Sequence, residues 1–460
     1  MTLIKSISGI RGTIGGHTGD NLTPLDVVKF SAAYGSWLKS QSDNKTLKVV
    51  IGRDARISGE MVQNLVMSTL TGLGINVLDL GLSTTPTVEI AVPREEADGG
   101  IILTASHNPK QWNALKLLNA DGEFLNAEEG AIILELADKE DFLFSEVDDL
   151  GTITKHDGYL DIHVQEVLNL SLVDADTIRA CKFKVALDAV NSTGGLAIPK
   201  LLEALGVEVV KLYCDPTGHF PHNPEPLKEH LEEISRLVPE SGADFGIVVD
   251  PDVDRLAFIS NDGTMFGEEY TLVACADYVL SKTPGNTVSN LSSTRALRDI
   301  TNKHGGKYTA AAVGEVNVVA KMKQTRAIIG GEGNGGIIYP ESHYGRDALV
   351  GTALFLMLLA EKKVSVRELR DSYPAYFMSK KKMQLTPELD VDALLEAMAG
   401  MYRDNKPSTI DGVKIDFEDS WVHLRKSNTE PIIRIYTEAA SQKAADRLAE
   451  KIIDEIAAIS

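Results

Sequence analysis

Residues 47–80 read LKVVIGRDARISGEMVQNLVMSTLTGLGINVLDL. Leu47 to Ile51 is a short, aliphatic, β-rich run that stops at Gly52-Arg53-Asp54. A helix is predicted from Gly59 to Leu73, because Met61, Val62, Leu65, Val66 and Leu70 recur at the spacing of one helix face. Gly74 breaks that helix, and Ile75 to Leu80 is again a strand. Gly100 to Thr104 supplies a third strand. Strand, helix and strand in this order make a parallel α/β unit.

The same rhythm recurs further along. Phe183 to Asp188 is a strand that runs into Asn191-Ser192-Thr193-Gly194-Gly195 and then a helix to Leu205. Val207 to Leu212 and Phe245 to Asp250 are the next strands. A third block begins near Phe258, with a helix around Tyr270 to Leu280 and strands at Thr287 to Leu291 and Ala327 to Gly331. After it the pattern changes. Met378 to Leu385, Lys414 to Phe417, Trp421 to Arg425 and Ile432 to Thr437 read as short strands, with a helix at Val391 to Tyr402. A last helix carries Ala445, Leu448, Ile452, Ile456 and Ile459 on one face. The expected fold class is α/β: three similar α/β domains with mixed sheets, then a C-terminal α+β domain. The domains are placed at residues 1–152, 153–257, 258–371 and 372–460.

The bulk numbers agree. A chain of 460 residues has room for about three or four domains. Apolar residues make up 43% and charged residues 24%, the balance of a globular protein with several cores. The net charge of −20 argues against nucleic acid and anionic membrane surfaces as partners. It also means that an anionic ligand requires cations, or a metal, gathered locally. Cys181, Cys214 and Cys275 are too few and too scattered for a disulfide framework or a zinc pattern, so the chain reads as cytoplasmic. The start, MTLIKSISGIRGTIGG, lacks the apolar core of a signal peptide. The longest apolar stretch, Ala348 to Ala360, is shorter than the ~20 residues of a membrane span and reads as a buried helix.

Four loops carry chemical groups. Thr104-Ala105-Ser106-His107-Asn108-Pro109 follows a strand, at the end where open α/β sheets bind ligands. Ser106 becomes a nucleophile only with an activating partner, and His107 and Lys116 are near in sequence. Taken alone, the hexapeptide reads as an ordinary turn. Asp250-Pro251-Asp252-Val253-Asp254-Arg255 sets three carboxylates at alternate positions, a donor set for Mg2+. An EF-hand is excluded, since Arg255 and Asn261 stand where its Gly and Glu belong. A solvated acidic turn is the plainer alternative. Gly330-Gly331-Glu332-Gly333-Asn334-Gly335-Gly336 offers Glu332 and Asn334 to sugar hydroxyls on a backbone a ligand can approach, or is a flexible turn. Arg425-Lys426-Ser427-Asn428-Thr429-Glu430-Pro431, with Arg434 beyond, combines guanidinium groups with hydroxyls and reads as a phosphate cradle or a charged hairpin tip.

These four loops, in this order and over nearly the whole chain, resemble the α-D-phosphohexomutase superfamily, which includes phosphoglucomutase, phosphomannomutase/phosphoglucomutase and phosphoglucosamine mutase. Smaller matches are Gly9-Ile10-Arg11-Gly12, Gly52-Arg53-Asp54 and Phe220-Pro221-His222-Asn223-Pro224-Glu225-Pro226. The resemblance implies four domains around a central cleft. It implies that Ser106 is a phosphoserine, and that Asp250, Asp252, Asp254 and a Ser106 phosphate oxygen hold Mg2+. Lys116, Arg11 and Arg255 then match the family's catalytic lysine and cleft arginines. Glu332 and Asn334 match its sugar loop, and Arg425, Ser427, Asn428 and Thr429 its grip on the phosphate that is not transferred. Two positions depart from the family. Ala114 replaces a frequent Gly, and Gly336 replaces a His proposed as acid or base in relatives. His343, His107 and Lys116 are the candidates for that role, with His343 set among the substrate-binding residues. The Gly-Glu-Gly-Asn-Gly-Gly form is similar to the archaeal-type members.

The implied reaction moves a phosphoryl group between the 1- and 6-positions of a hexose phosphate, with hexose 1,6-bisphosphate as intermediate and activator. Phosphoglucosamine mutase is the first expectation, and phosphoglucomutase/phosphomannomutase the alternative. A non-catalytic sugar-phosphate-binding paralogue is the reading from another class. The hexose phosphate substrate is the expected partner, and the chain is expected as a monomer or homodimer.

Overall fold

The structure is a computed structural model that describes residues 2–6, 9–42, 46–384, 390–426 and 432–459. The strands form four separate sheets. In the first, the order is Ile4–Ser6, Gly9–Thr13, Trp112–Leu118, Gly99–Leu103, Lys48–Arg53, Asn76–Leu82, Ile153–Lys155. Gly99–Leu103, Lys48–Arg53 and their two outer neighbours run parallel; Trp112–Leu118 runs back against Gly99–Leu103. The second sheet holds Leu256–Ile259, Phe245–Val249, Lys184–Asp188 and Glu208–Leu212. The third holds Tyr308–Ala311, Asn286–Asn290, Ala327–Glu332 and Gly336–Ile338. The fourth is wholly antiparallel: Phe377–Gln384, Ile432–Ala439, Trp421–Lys426 and Val413–Asp416. The expected class, three α/β domains with mixed sheets and a C-terminal α+β domain, is the observed one.

A feature that sequence periodicity did not deliver is a shared hairpin. In each α/β domain a buried strand ends in one of the chemical loops, and an antiparallel strand returns from it. An isolated antiparallel bridge then closes the next turn: Leu118 with Phe124, Ile259 with Met265, and Ile338 with Arg346. A helix follows in every case. The return strands Leu256–Ile259 and Gly336–Ile338 span only four and three residues, too short to show a period. Leu256–Ile259 closes the second sheet, which therefore extends past the expected boundary at 258, with Phe258 opposite Ile247. The fourth loop likewise lies between two paired strands, Trp421–Lys426 and Ile432–Ala439.

The helix Ala348–Lys362 is apolar on all sides because it is packed on all sides. It sits in a core shared by the second and third domains, where Phe355 stacks on Phe258 with ring centroids 3.7 Å apart. No described helix is long and apolar enough to cross a membrane. In the last helix, Gln442–Ile459, the buried stripe is Ala445, Ala449, Ile452 and Ile456, whereas Ile459 is exposed.

Candidate active site

The loop after Gly99–Leu103 turns sharply. Ser106 has a φ of 48°, a left-handed conformation that costs energy for any residue with a Cβ. Two sets of bonds hold it. The Thr104 hydroxyl accepts from the Ser106 N–H at 2.9 Å and donates to Asp54 at 2.7 Å. The Arg56 guanidinium, fully buried, donates to the backbone carbonyls of Ser106, Asn108 (2.7 Å), Pro109 (2.8 Å) and Trp112 (3.0 Å). Its Nε donates to Asp54 at 3.0 Å, and it lies over the ring of Phe220 from the second domain.

Ser106 Oγ is aimed at the second domain and donates to Asp250 Oδ2 at 2.8 Å. Asp250, Asp252 and Asp254 are completely buried, and an oxygen from each lies within 4.8 Å of the others. The loop is pinned from beneath: Ser192 and Thr193 donate to the Pro251 carbonyl, and Ser192 Oγ also accepts from Ala55 N. Burial, then Asp252 and Asp254, push the Asp250 carboxyl well above the carboxylate range. Burial would raise Asp252 also, but Lys116 (2.7 Å) and Thr85 (2.6 Å) outweigh it and hold Asp252 below that range. Lys116, on the return strand, is in turn kept charged by Asp252 and Asp254 in spite of its burial. Asp252 Oδ1 and Asp254 Oδ1 are buried without a hydrogen-bond partner. An all-oxygen trio that crowds three carboxyl groups, two with an orphaned oxygen, fits a divalent hard cation such as Mg2+.

From Asp254 the charge network passes to the third domain. Arg346 donates to Asp254 at 2.7 Å, to Glu332 at 2.9 Å and to Glu315 at 3.0 Å. Glu332 Oε1 accepts from Asn290 and from Gly314 N. Val313 N, one residue earlier, donates to Asp411 of the fourth domain at 2.9 Å, and Asp411 pairs with Arg425 at 2.9 Å. His423 bonds Ser292 across the same boundary at 2.8 Å. A cavity of about 300 Å3 lies among these walls, lined by His107, Arg255, Glu332, Asn334, Arg425 and Arg434 among others.

The candidate residues therefore fall into groups. Ser106, His107, Lys116, Arg255 and the aspartates meet at one point. Burial, then Arg255 and Arg11, hold the His107 imidazole well below its usual range, so it is neutral, with Nδ1 3.4 Å from Ser106 Oγ. Arg11, on Gly9–Thr13, is close enough to Arg255 and Asp252 to feel both charges. Arg255 reaches Glu225 at 3.3 Å. Glu332, Asn334, Arg425 and Arg434 line the cavity. His343 is not among its lining residues; it faces Glu89 at 3.4 Å and Asp347 at 3.2 Å. Ser427, Asn428 and Thr429 lie outside the described residues. Sequence reasoning passed over Arg56, Thr85, Arg346 and Asp411. Arg56 alone had a signal, a charged residue two positions past Asp54 at the carboxyl end of a strand.

A four-domain α/β architecture with a serine hydroxyl on an aspartate trio at its centre is matched by known proteins along the whole chain. Residues 3–144, 159–263 and 267–376 match the alpha/beta/alpha domains I, II and III of phosphoglucomutase/phosphomannomutase, and residues 378–455 match its C-terminal domain. The phosphoglucomutase/phosphomannomutase of Thermococcus kodakarensis is 36% identical over 453 residues, 96% of this chain and 98% of the relative. The phosphoglucosamine/phosphogalactosamine mutase of Sulfurisphaera tokodaii is 33% identical over 459 residues, 98% of each chain. A crystal structure of a phosphoglucomutase/phosphomannomutase family protein from Burkholderia thailandensis superposes with a TM-score of 0.85 at 25% identity, covering 99% of this chain and 98% of that one. The chain belongs to the phosphoglucomutase/phosphomannomutase family, within the α-D-phosphohexomutase superfamily.

Proposed function

We propose that the protein is a phosphohexomutase that interconverts 1- and 6-phosphates of a hexose, with glucosamine phosphate as the favoured substrate. The observation that carries the reading is the 2.8 Å bond between Ser106 Oγ and Asp250, whose near neighbours in sequence, His107 and Arg255, line a cavity walled by all four domains. In the resting enzyme Ser106 carries the phosphoryl group. Asp250, Asp252, Asp254 and a phosphoserine oxygen would hold Mg2+, which supplies Lewis-acid neutralisation of phosphoryl charge.

Arg425 and Arg434 hold the phosphate that does not react, joined by Ser427, Asn428 and Thr429. Glu332 and Asn334 orient the ring through its hydroxyls. A sugar hydroxyl attacks phosphorus as the bond to Ser106 Oγ breaks, and its proton passes to the neutral His107 imidazole. Lys116, Arg11 and Arg255 stabilise the charge on the transferring oxygens, where most phosphoryl-transfer catalysis lies. The product is hexose 1,6-bisphosphate. It turns end for end, its other phosphoryl group returns to Ser106, and His107 returns the proton to the departing sugar oxygen. A grip that reads phosphate and ignores ring orientation suits both half-reactions.

The amino-sugar preference is supported by relatives such as the Sulfurisphaera enzyme. The name of the Thermococcus relative favours a second reading, glucose and mannose phosphates. The test is Ser106→Ala. Mutase turnover is expected to vanish in a folded protein, and the wild type is expected to carry about 80 Da of phosphoryl mass that the variant lacks. A variant that still turns over would exclude the phosphoserine role.

A further inference from the structure

The segment 219–227 of the second domain touches two cations of the site. The Phe220 ring lies 5.1 Å from the Arg56 guanidinium, which holds the Ser106 loop. Glu225 accepts from Arg255 at 3.3 Å, and Glu225, Pro226 and Leu227 line the cavity beside Arg255. At its start the segment is held by Asn191, whose amide donates to the His219 carbonyl at 3.1 Å. From Phe220 to Pro224, the contact of His222 with Asp188 is the only hydrogen bond to another element among the described residues. Asp188 ends the strand Lys184–Asp188, and its other oxygen accepts from Val190 N at 2.9 Å.

Both ring nitrogens of His222 face acceptors. Nδ1 lies 2.8 Å from the Asn223 carbonyl oxygen, and Nε2 lies 3.0 Å from Asp188 Oδ2. A carbonyl and a carboxylate can only accept, so the ring satisfies both contacts as an imidazolium. A neutral ring turns a lone pair towards one of the two oxygens. Tyr213, after the next strand, meets the ring edge-on at 5.9 Å, and its hydroxyl donates to Glu233 of the helix Glu232–Ser241. Glu229, His230, Glu232 and Arg236 line the same surface cavity as His222. Burial alone would lower the His222 imidazole; the bond and charge of Asp188, the Asn223 carbonyl and Glu233 outweigh it and raise the group above its usual range.

We propose that His222 is a positioning residue for phosphoryl transfer: its imidazolium ties the segment to Asp188 and so sets Glu225 against Arg255 and Phe220 against Arg56. The inference rests on the phosphohexomutase reading and deepens it by giving that site a proton-controlled support. Loss of the proton to water frees one end of the tie, and Arg255 and the Ser106 loop lose a fixed neighbour. The tie is complete below the ~6.5 of an ordinary histidine and is lost as pH rises through the raised value of the folded protein. Arg255 acts on the transferring oxygens, so kcat carries the effect more than KM.

The experiment measures kcat against pH for the wild type, His222→Gln and Asp188→Asn, on the hexose 1-phosphate that the wild type turns over fastest. The wild type is expected to lose kcat along an alkaline limb. Glutamine keeps one donor towards Asp188 and cannot titrate, so His222→Gln is expected to lack that limb and to run about tenfold below the wild type at acid pH. Asp188→Asn removes the charge that holds the proton, and its limb is expected to move to lower pH. A limb that persists in His222→Gln, or stands unmoved in Asp188→Asn, overturns the role of His222 and leaves the mutase reading in place. A wild type inactive on every hexose phosphate overturns the mutase reading itself, and His222 then has no transfer step to support. If neither variant folds, proton NMR of the ten histidines in the wild type decides. One of them is expected to titrate above about 6.5, with the midpoint of the kinetic limb, and the absence of such a resonance overturns the proposal.

Discussion

Replace Arg56 by methionine, and the loop that carries Ser106 loses its central support. The magnitude follows from the geometry. Asp54 and Arg56 have fully buried side chains 3.0 Å apart. Removing one partner of a buried ion pair costs about 3–5 kcal/mol, because the other charge is left uncompensated. A second route to the figure starts from Asp54 itself, whose carboxyl burial already raises. Without Arg56 it protonates, and neutralising a group that titrates near 3.9 in the unfolded chain costs about 4 kcal/mol at pH 7. The two routes agree. The carbonyls of Ser106, Asn108, Pro109 and Trp112 lose a donor as well, so about 4 kcal/mol is the expected loss in the first domain. Urea unfolding followed through Trp112, which terminates the loop, measures it.

Arg56→Lys separates fold from chemistry. Lysine restores a positive charge to Asp54, but it lacks the planar fork that spans several carbonyls. Stability is expected to return by roughly half, while kcat stays about a hundredfold down, since a shift of about 1 Å at Ser106 is enough for that. Arg56→Met with a loss under about 1 kcal/mol, or Arg56→Lys with full kcat, would refute the argument that this guanidinium shapes the loop.

Asp252→Asn removes a donor from the aspartate trio and the main partner of Lys116; Mg2+ affinity by calorimetry is expected to drop at least about tenfold, with a parallel fall in turnover. Chelation of the wild type is expected to stop turnover, and added Mg2+ to restore it; turnover that survives chelation would count against the trio as a metal site. Asp411→Ala frees Arg425 and is expected to raise KM for hexose phosphate about five- to thirtyfold with a smaller effect on kcat, so an unchanged KM would separate Arg425 from phosphate binding. Burial holds His423 at about 4, below the ~6.5 of an unfolded histidine. The unfolded chain then takes up the proton first as pH falls, so the stability from this group is complete above about pH 6.5 and drains towards pH 4, by about 3 kcal/mol. His423→Gln is expected to flatten that part of the pH–stability curve, and an identical slope in both proteins would show that His423 does not titrate there.

Much of this was legible in the sequence because it is local. The helix Gly59–Gly72 and the strands beside it follow from periodicity and one glycine stop. The Asp250 trio is legible because alternate residues on one short loop must converge. What escaped is non-local. The return strand Gly336–Ile338 has three residues and no period, and only its pairing with Gly330–Glu332 defines it. Arg346 looks like any surface arginine, yet it is buried and binds carboxylates from positions 254, 315 and 332. His343 is a contrasting case: its sequence position near the sugar loop suggests an acid or base, and the fold sets it 3.4 Å from Glu89 and 3.2 Å from Asp347, outside the residues that line the cavity.

The repeated hairpin explains why loops far apart in the chain can serve one reaction. In each α/β domain the buried strand delivers its loop at the carboxyl end, and the antiparallel return strand fixes the direction in which that loop leaves the sheet. Ser106 and Val253 both take a left-handed backbone at the tip, with φ of 48° and 65°, so the two turns strain the chain alike. Charges then lock the tips together. Lys116 leaves the return strand of the first domain to reach the aspartates of the second, and Arg346 leaves the closing bridge of the third to reach the same group. Asp254 touches both. The cations of this acidic chain are thus drawn inward by buried carboxylates, and the field in the cleft is set by that local pairing rather than by the net charge of −20.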